Sequence, residues 1–267
     1  MIRMKSPDYE RIGVAGDWHG NKAWSRHVIE KLAEEGIKHV LHVGDFGFWP
    51  GNHGRKYLYR VEKFLAIYDI TLYVTLGNHE DYIQLSRFNP HPTMEGFVYN
   101  RNYPHILVAK RGARWEWNGV SFMSLGGANS IDFAHRRENF TWWPGESITV
   151  SDVDRAVDGG RADVMISHDC PDGVNLPGTL GDKGDGWSEE ELAYAHQSRD
   201  MLRTAVDGVK PGVLFHGHYH RFYDATTVLN DGNEDYTLRS VGLDMDGSPD
   251  NLLVVEIATR AYTKPLR

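Results

Sequence analysis

The sequence predicts an α/β fold, and three observations carry that reading. Short apolar strands alternate with amphipathic helices through the first third of the chain, the pattern of a parallel sheet with crossover helices. The 267 residues suffice for one large core or at most two small domains. With no internal repeat and no low-complexity linker, residues 1–267 read as a single domain. Third, the apolar runs end in Asp, Asn and His. In open α/β sheets the loops at the carboxyl ends of strands converge on the ligand crevice.

The elements follow in order. "RIGVAGD" (11–17) is a short apolar strand, and "NKAWSRHVIEKLAEEG" (21–36) has helical spacing. Trp24, Val28, Ile29, Leu32 and Ala33 form one face of that helix, and Gly36 stops it. "HVLHVGD" (39–45) is a strand, "RKYLYRVEKFLAIYD" (55–69) a helix and "TLYVTLGN" (71–78) a strand. Residues 81–114, rich in Pro, Asn and aromatics, read as loops with a short helix lying over one end of the sheet. "HILVAKRGARWEWNGVSFMSLGG" gives two or three short strands joined by turns such as "WNG". A short helix is expected in "SDVDRAVDGG", capped by Ser151, and "ADVMISHD" is another strand. The Gly-rich stretch 171–187 reads as a long loop, long enough to suggest function or mobility. Ser188 and Glu191 form a capping-box pattern that opens a helix. The remainder reads as strands: "GVLFHGHYH", "RFYDATTVLN", "DYTLRSVGL" and "LLVVEIATR".

Composition narrows the functional classes. Hydrophobic residues at 40% and charged residues at 25% are ordinary for a soluble globular protein. No apolar run approaches the roughly 18 residues of a membrane span. The N-terminal "MIRMKSPDYERIGVAGD" passes from polar residues into a strand without a signal-peptide core. A lone cysteine, Cys170, excludes an internal disulfide framework, and a cytoplasmic location is expected. The net charge of −8, with no Lys/Arg-rich stripe, argues against extended nucleic-acid binding unless a local basic patch exists. Oligomeric state is left open.

Histidine, at 14 residues, is where the sequence becomes specific. "FHGHYH" places His216, His218 and His220 at strand alternation, so all three side chains are expected on one side of a strand. Other strand ends supply Asp17 and His19 ("GDWHG"), Asp45 ("GDFGF"), Asn78, His79 and Glu80 ("GNHE"), and His168 ("SHD"). Singly each is a common turn or surface residue. Jointly, in order and each at a strand end, they point to a single metal-type site.

This ordered set resembles the calcineurin-like metallophosphoesterases, whose pattern is D-x-H, G-D, G-N-H-[DE], a lone His and G-H-x-H. Here it stands as "DWH" (17–19), "GD" (44–45), "GNHE" (77–80), "SHD" (167–169) and "GHYH" (217–220). The segment 125–146, "LGGANSIDFAHRRENFTWWPGE", also resembles one found in a bacterial and phage branch of that family. The resemblance implies a four-layer α/β/β/α sandwich, two mixed β-sheets flanked by helices, with the metal site at the carboxyl ends of the strands. It further implies two divalent transition-metal ions. Asp17, His19 and His220 would hold one, Asn78, His168 and His218 the other, and Asp45 would bridge them. The mixed N/O donor set suits Mn, Fe, Zn or Ni better than Ca, with manganese the expected ion.

The implied activity is hydrolysis of a small phosphodiester or phosphomonoester, with nucleotides as candidates, by attack of a metal-bridging hydroxide. His79 would be the proton donor to the leaving oxygen or a donor to the transition-state phosphoryl group, with Glu80 orienting or tuning it. His216, further back in the strand, is expected to support the site or the core. Arg136 and Arg137 are candidate phosphate contacts, with Arg87 and Arg101 behind them. Trp142 and Trp143 read as packing, and Cys170, next to Asp169, as a buried residue behind the site rather than a catalytic one. Many family members carry a second Asp three residues after the bridging one; here Phe48 stands there, and with Phe46 and Trp49 it suggests an apolar wall or core packing. Two alternatives remain at this stage. One is a non-catalytic metal-bound scaffold or regulatory module, the other a nuclease.

Overall fold

A computed structural model describes residues 2–176 and 186–267. Most of the Gly-rich loop 171–187 therefore lies outside the described residues. Two mixed sheets stack face to face. One runs, in strand order, Tyr262–Thr263, Leu252–Glu256, Arg11–Ala15, His39–His42, Thr71–Val74, Tyr103–Ala109, Phe97–Asn100 and Asn89–Pro90. The other runs Ile2–Met4, Ala113–Trp117, Val120–Leu125, Val164–Ser167, Val213–His216, Asp235–Gly242 and Tyr223–Asn230. Each has a parallel centre with antiparallel pairs beside it, and in the second sheet the edge strand Ile2–Met4 adds to Ala113–Trp117 in parallel.

Strand periodicity explains the layering. In Arg11–Ala15, Ile12 and Val14 face the second sheet, where they meet the aromatic stack of Trp115, Trp117 and Phe122. Ala15 faces the other way, toward helices α1 (Lys22–Glu34) and α2 (Gly51–Tyr68). Gly13 faces that way too. A Cβ there would lie 2.6 Å from Leu32 Cδ2, so the glycine lets α1 approach the sheet. A four-residue helix, α3 (Tyr82–Leu85), follows the third parallel strand. On the outer face of the second sheet, α4 (Val150–Asp158) and α5 (Glu189–Val209) bury Val153, Leu202 and Val206 against Met123, Met165 and Leu214. The result is the four-layer α/β/β/α sandwich expected from the resemblance.

Local differences have local causes. The cap of α4 is Thr149, which forms a reciprocal capping box with Asp152; Ser151 lies inside the helix. The helix expected from Arg55 begins at Gly51, after Pro50. The stretch 81–114 holds a strand pair, Asn89–Pro90 with Phe97–Asn100, that its Pro and polar content concealed. The "WNG" turn has both Asn118 and Gly119 at positive φ, the twist a tight hairpin needs. The strand expected through "FHGHYH" stops at His216. No helix among the described residues is long and apolar enough to cross a membrane.

Candidate metal centre

The parallel strands of both sheets end at one edge of the sandwich, and the loops leaving them cross there. Two backbone bonds lock the first pair of loops, with Trp18 and His19 N–H groups donating to the Asp45 carbonyl at 3.1 and 2.8 Å. Four of the candidate ligands, His19, Asp45, His218 and His220, hold positive φ. For non-glycine residues this conformation is uncommon and costly, and its concentration at one place is typical of a functional site. His218 and His220 therefore reach the site from consecutive turns after the strand, and not as a ladder on it. Between strand and turn stands Gly217, where a Cβ would lie 2.0 Å from Asp17 Oδ1.

Asp45 is the centre of the cluster. Its Oδ1 accepts the His79 backbone N–H at 2.9 Å. Its Oδ2 lies 3.3 Å from His168 Nε2, 3.7 Å from His19 Nε2 and 3.9 Å from His79 Nε2. On one side, ligand atoms of Asp17, His19, Asp45 and His220 all lie within 4.8 Å of one another. On the other, His168 Nε2 is 3.0 Å from Asn78 Oδ1, and the His168 and His218 rings are 5.0 Å apart. The structure thus brings together all seven residues read as metal ligands, in two groups that meet at Asp45.

Electrostatics match the geometry. Burial pushes the Asp17 and Asp45 carboxyls up, yet His220 at Asp17 and His168 at Asp45 outweigh it and hold both below the ordinary carboxylate range. Conversely, burial works against protonated His19 and His168, but Asp45 and Asp17 raise them to about 9 and about 10. A field that retains protons so tightly on two imidazoles is a field suited to cations. Burial also keeps His218 and His79 low.

A shell of polar contacts fixes the ligand atoms. Val43 carbonyl accepts from His168 Nδ1 at 2.8 Å, which leaves Nε2 facing Asp45. Asn78 Nδ2 donates to Ser130 Oγ at 2.9 Å, so its Oδ1 faces the site. Ser130 in turn gives its hydroxyl proton and its N–H to buried Glu146, which also accepts from Trp142 and Tyr194. Asp169 accepts from Tyr219, between His218 and His220, and from Ser198 of α5. Asp246 Oδ1 lies 3.0 Å from His19 Nδ1. The amide of buried Asn251 makes four bonds, accepting from Trp18 and Trp24 indoles and donating to the Asp17 and Asp244 carbonyls. Sequence reading missed Ser130, Glu146, Asp246 and Asn251, which carry no motif of their own.

Several sequence expectations are corrected. Glu80 does not turn to His79. Its carboxylate accepts the N–H groups of Phe46, Gly47 and Phe48 at 2.7, 3.3 and 2.9 Å, clamping the loop that follows Asp45. Burial, helped by the Asp45 charge, pushes it up to about 7 despite those three bonds. Of the two readings left open for Phe46 and Phe48, core packing is the one that holds: both are buried and in contact with each other. Arg136 reaches His79, its terminal nitrogens 2.8 and 3.1 Å from the two ring nitrogens, while its Nε pairs with Asp132 at 2.7 Å. Arg137 instead lies 4.0 Å over the exposed Phe140 ring, so it is not gathered with the site. His216 is buried and bonded to Tyr223 Oη at 2.5 Å, behind the cluster, and Cys170 touches the same hydroxyl.

Comparison with known proteins agrees with this arrangement. A family model described as calcineurin-like phosphoesterase matches residues 10–222. No curated protein matches the sequence. Among solved structures, a dimetal phosphatase from Danio rerio is similar at a TM-score of 0.56 and 12% identity, covering 93% of each chain. The protein TT1561 of Thermus thermophilus is similar at 0.55 and 10%, covering 95% of this chain and 97% of that one. At these identities the likeness is one of fold.

Proposed function

The chain belongs to the calcineurin-like phosphoesterases, metal-dependent hydrolases of phosphoric esters, and on that premise we propose that it hydrolyses small phosphodiesters or phosphomonoesters, nucleotides among them. One observation supports the metal most directly: buried Asp17 Oδ1, on a carboxylate of the Asp17, His19, Asp45 and His220 cluster, has no hydrogen-bond partner among the described residues. A buried carboxylate oxygen left without a donor is costly, and a cation there would satisfy it. The donors fit two divalent ions, with Asp17, His19 and His220 at one, Asn78, His168 and His218 at the other, and Asp45 between them. Manganese is the proposed ion, its Mn, Fe, Zn or Ni class set by the mixed donors.

When bound, such a pair supplies Lewis-acid polarisation of a phosphoryl group and activation of a water for in-line attack. The chain's own groups supply the rest. Asp45 fixes the backbone of His79 through the 2.9 Å bond to its N–H, and His79 Nε2 faces the cluster. From Nε2 His79 donates to the phosphoryl group or hands a proton to the leaving oxygen. Arg136, held by Asp132, binds a phosphoryl oxygen; its guanidinium donates to the unprotonated ring nitrogen of His79, and turning to the substrate frees that ring to act.

The test is hydrolysis of bis(p-nitrophenyl) phosphate and p-nitrophenyl phosphate by protein stripped with chelator and reloaded with Mn²⁺. Turnover should require the metal and fall by about 10²–10⁴ in His79→Ala. Absence of turnover with metal bound would favour a scaffold role instead.

A further inference from the structure

We propose that the groove between α1 and α2 binds a single strand of nucleic acid. The groove has a volume of about 830 Å³, and five of the nine residues that line it are cationic while none is acidic. They come from both helices: Lys22 and Arg26 from the first turns of α1, and Arg55, Lys56 and Arg60 from α2. α2 carries Arg55, Lys56 and Arg60 within two turns, and packing α1 beside it adds Lys22 and Arg26 to the same groove. Lys22, Arg55, Lys56 and Arg60 form no ion pair among the described residues, and Arg26 is partly engaged by Glu30 at 2.7 Å. In a chain of net charge −8, this concentration of unneutralised cations sets up a local field opposite to that of the whole molecule.

The aromatic residues choose the ligand. Tyr59 is 62% exposed, and Phe64 and Tyr103 line the groove beside it. Cations that follow a phosphate backbone, interleaved with rings on which bases stack, are the features that recognise single strands; paired bases in a duplex present no free face. A second groove of about 410 Å³ shares Arg55 and carries one further cation, Arg87, beside Asp81 and Asn139. The sequence argued against extended nucleic-acid binding unless a local basic patch exists; the groove is such a patch, and the proposal stands independently of the substrate proposed above.

The test uses fluorescence anisotropy of a labelled oligothymidylate of about twenty nucleotides with the metal-loaded full chain, strand integrity being checked on a gel. Binding should weaken with salt, by about 0.7 in logarithmic slope for each phosphate contact. Reversing Lys22→Glu, Lys56→Glu and Arg60→Glu together should flatten that slope by about 2 and weaken binding at least ~10-fold at low salt. Tyr59→Ala should cost about 10-fold with the slope retained. The proposal is overturned if the strand does not bind at low salt, if the triple variant binds as tightly as the wild type, or if phosphatidylserine vesicles bind in its place. Hydrolysis of bis(p-nitrophenyl) phosphate by the same wild-type sample reports separately on the metal centre, so failure of one reading leaves the other distinguishable.

Discussion

The carboxylate of Asp246 lies 3.0 Å from Nδ1 of His19, across 227 positions of sequence, while its second oxygen accepts from Asn21 at 2.7 Å. This contact places the Nδ1 proton and leaves Nε2 free to face Asp45 and Asp17. Carboxylates behind a metal-binding histidine fix its tautomer and raise its basicity. Asp246→Ala should therefore lower metal affinity by about 10–100-fold. Competition with a chromophoric chelator measures it, and an unchanged affinity would remove Asp246 from the site.

Glu80 distinguishes a clamp from a tuner. Its three backbone bonds hold the loop 46–48. Glu80→Ala strands those buried N–H groups, at about 1–3 kcal/mol each where no water replaces the carboxylate. A large drop in the urea midpoint, with weakened metal retention at Asp45, is the expected outcome. Full stability with a displaced pH–rate profile would restore the role of tuning His79.

Arg136 and Arg137 are neighbours with opposite fates. Arg136 touches His79, whereas Arg137 packs on Phe140. Removing a charge-assisted contact to phosphate is worth about 1.5–3 kcal/mol, or roughly 10–100-fold. Arg136→Ala should lose that much in kcat/KM on the diester, and Arg137→Ala should stay within a few-fold. Equal losses would contradict the assignment.

That the seven candidate ligands would gather at one place was legible because each sits in a short motif at a strand end, and strand ends of a parallel sheet share one edge. The supporting residues were not. Ser130 meets Asn78 across 52 positions and Asn251 meets Trp18 across 233, distances at which no local pattern survives. Reading "FHGHYH" as strand failed for a related reason. Alternation places three histidines on one side, but Gly217 packs against Asp17 and the chain turns, so His216 is left behind and the other two reach the site by left-handed turns. Glu80 misled because it is adjacent to His79 in sequence, yet its side chain is committed to backbone amides.

Phe48 occupies the position where many relatives carry an acidic residue, and here that position belongs to the core. Its ring is fully buried and lies 5.1 Å from Phe46 and 5.7 Å from Phe88. Restoring the acid with Phe48→Asp should not improve the site. Losing the ring alone costs about 3–5 kcal/mol, and a buried carboxylate beside Glu80 adds to that. Thermal denaturation should show a strongly destabilised protein; wild-type stability would mean that the loop opens freely.

Metal content per chain tests the central claim, that seven side chains form one two-ion centre joined at Asp45. Purified protein reloaded with Mn²⁺ and freed of excess metal would be measured by inductively coupled plasma mass spectrometry beside Asp45→Ala. The account expects two ions per chain in the wild type and loss of both, or of all but a weakly held one, in the variant. A wild type that holds a single ion, or a variant that still holds two, would contradict it.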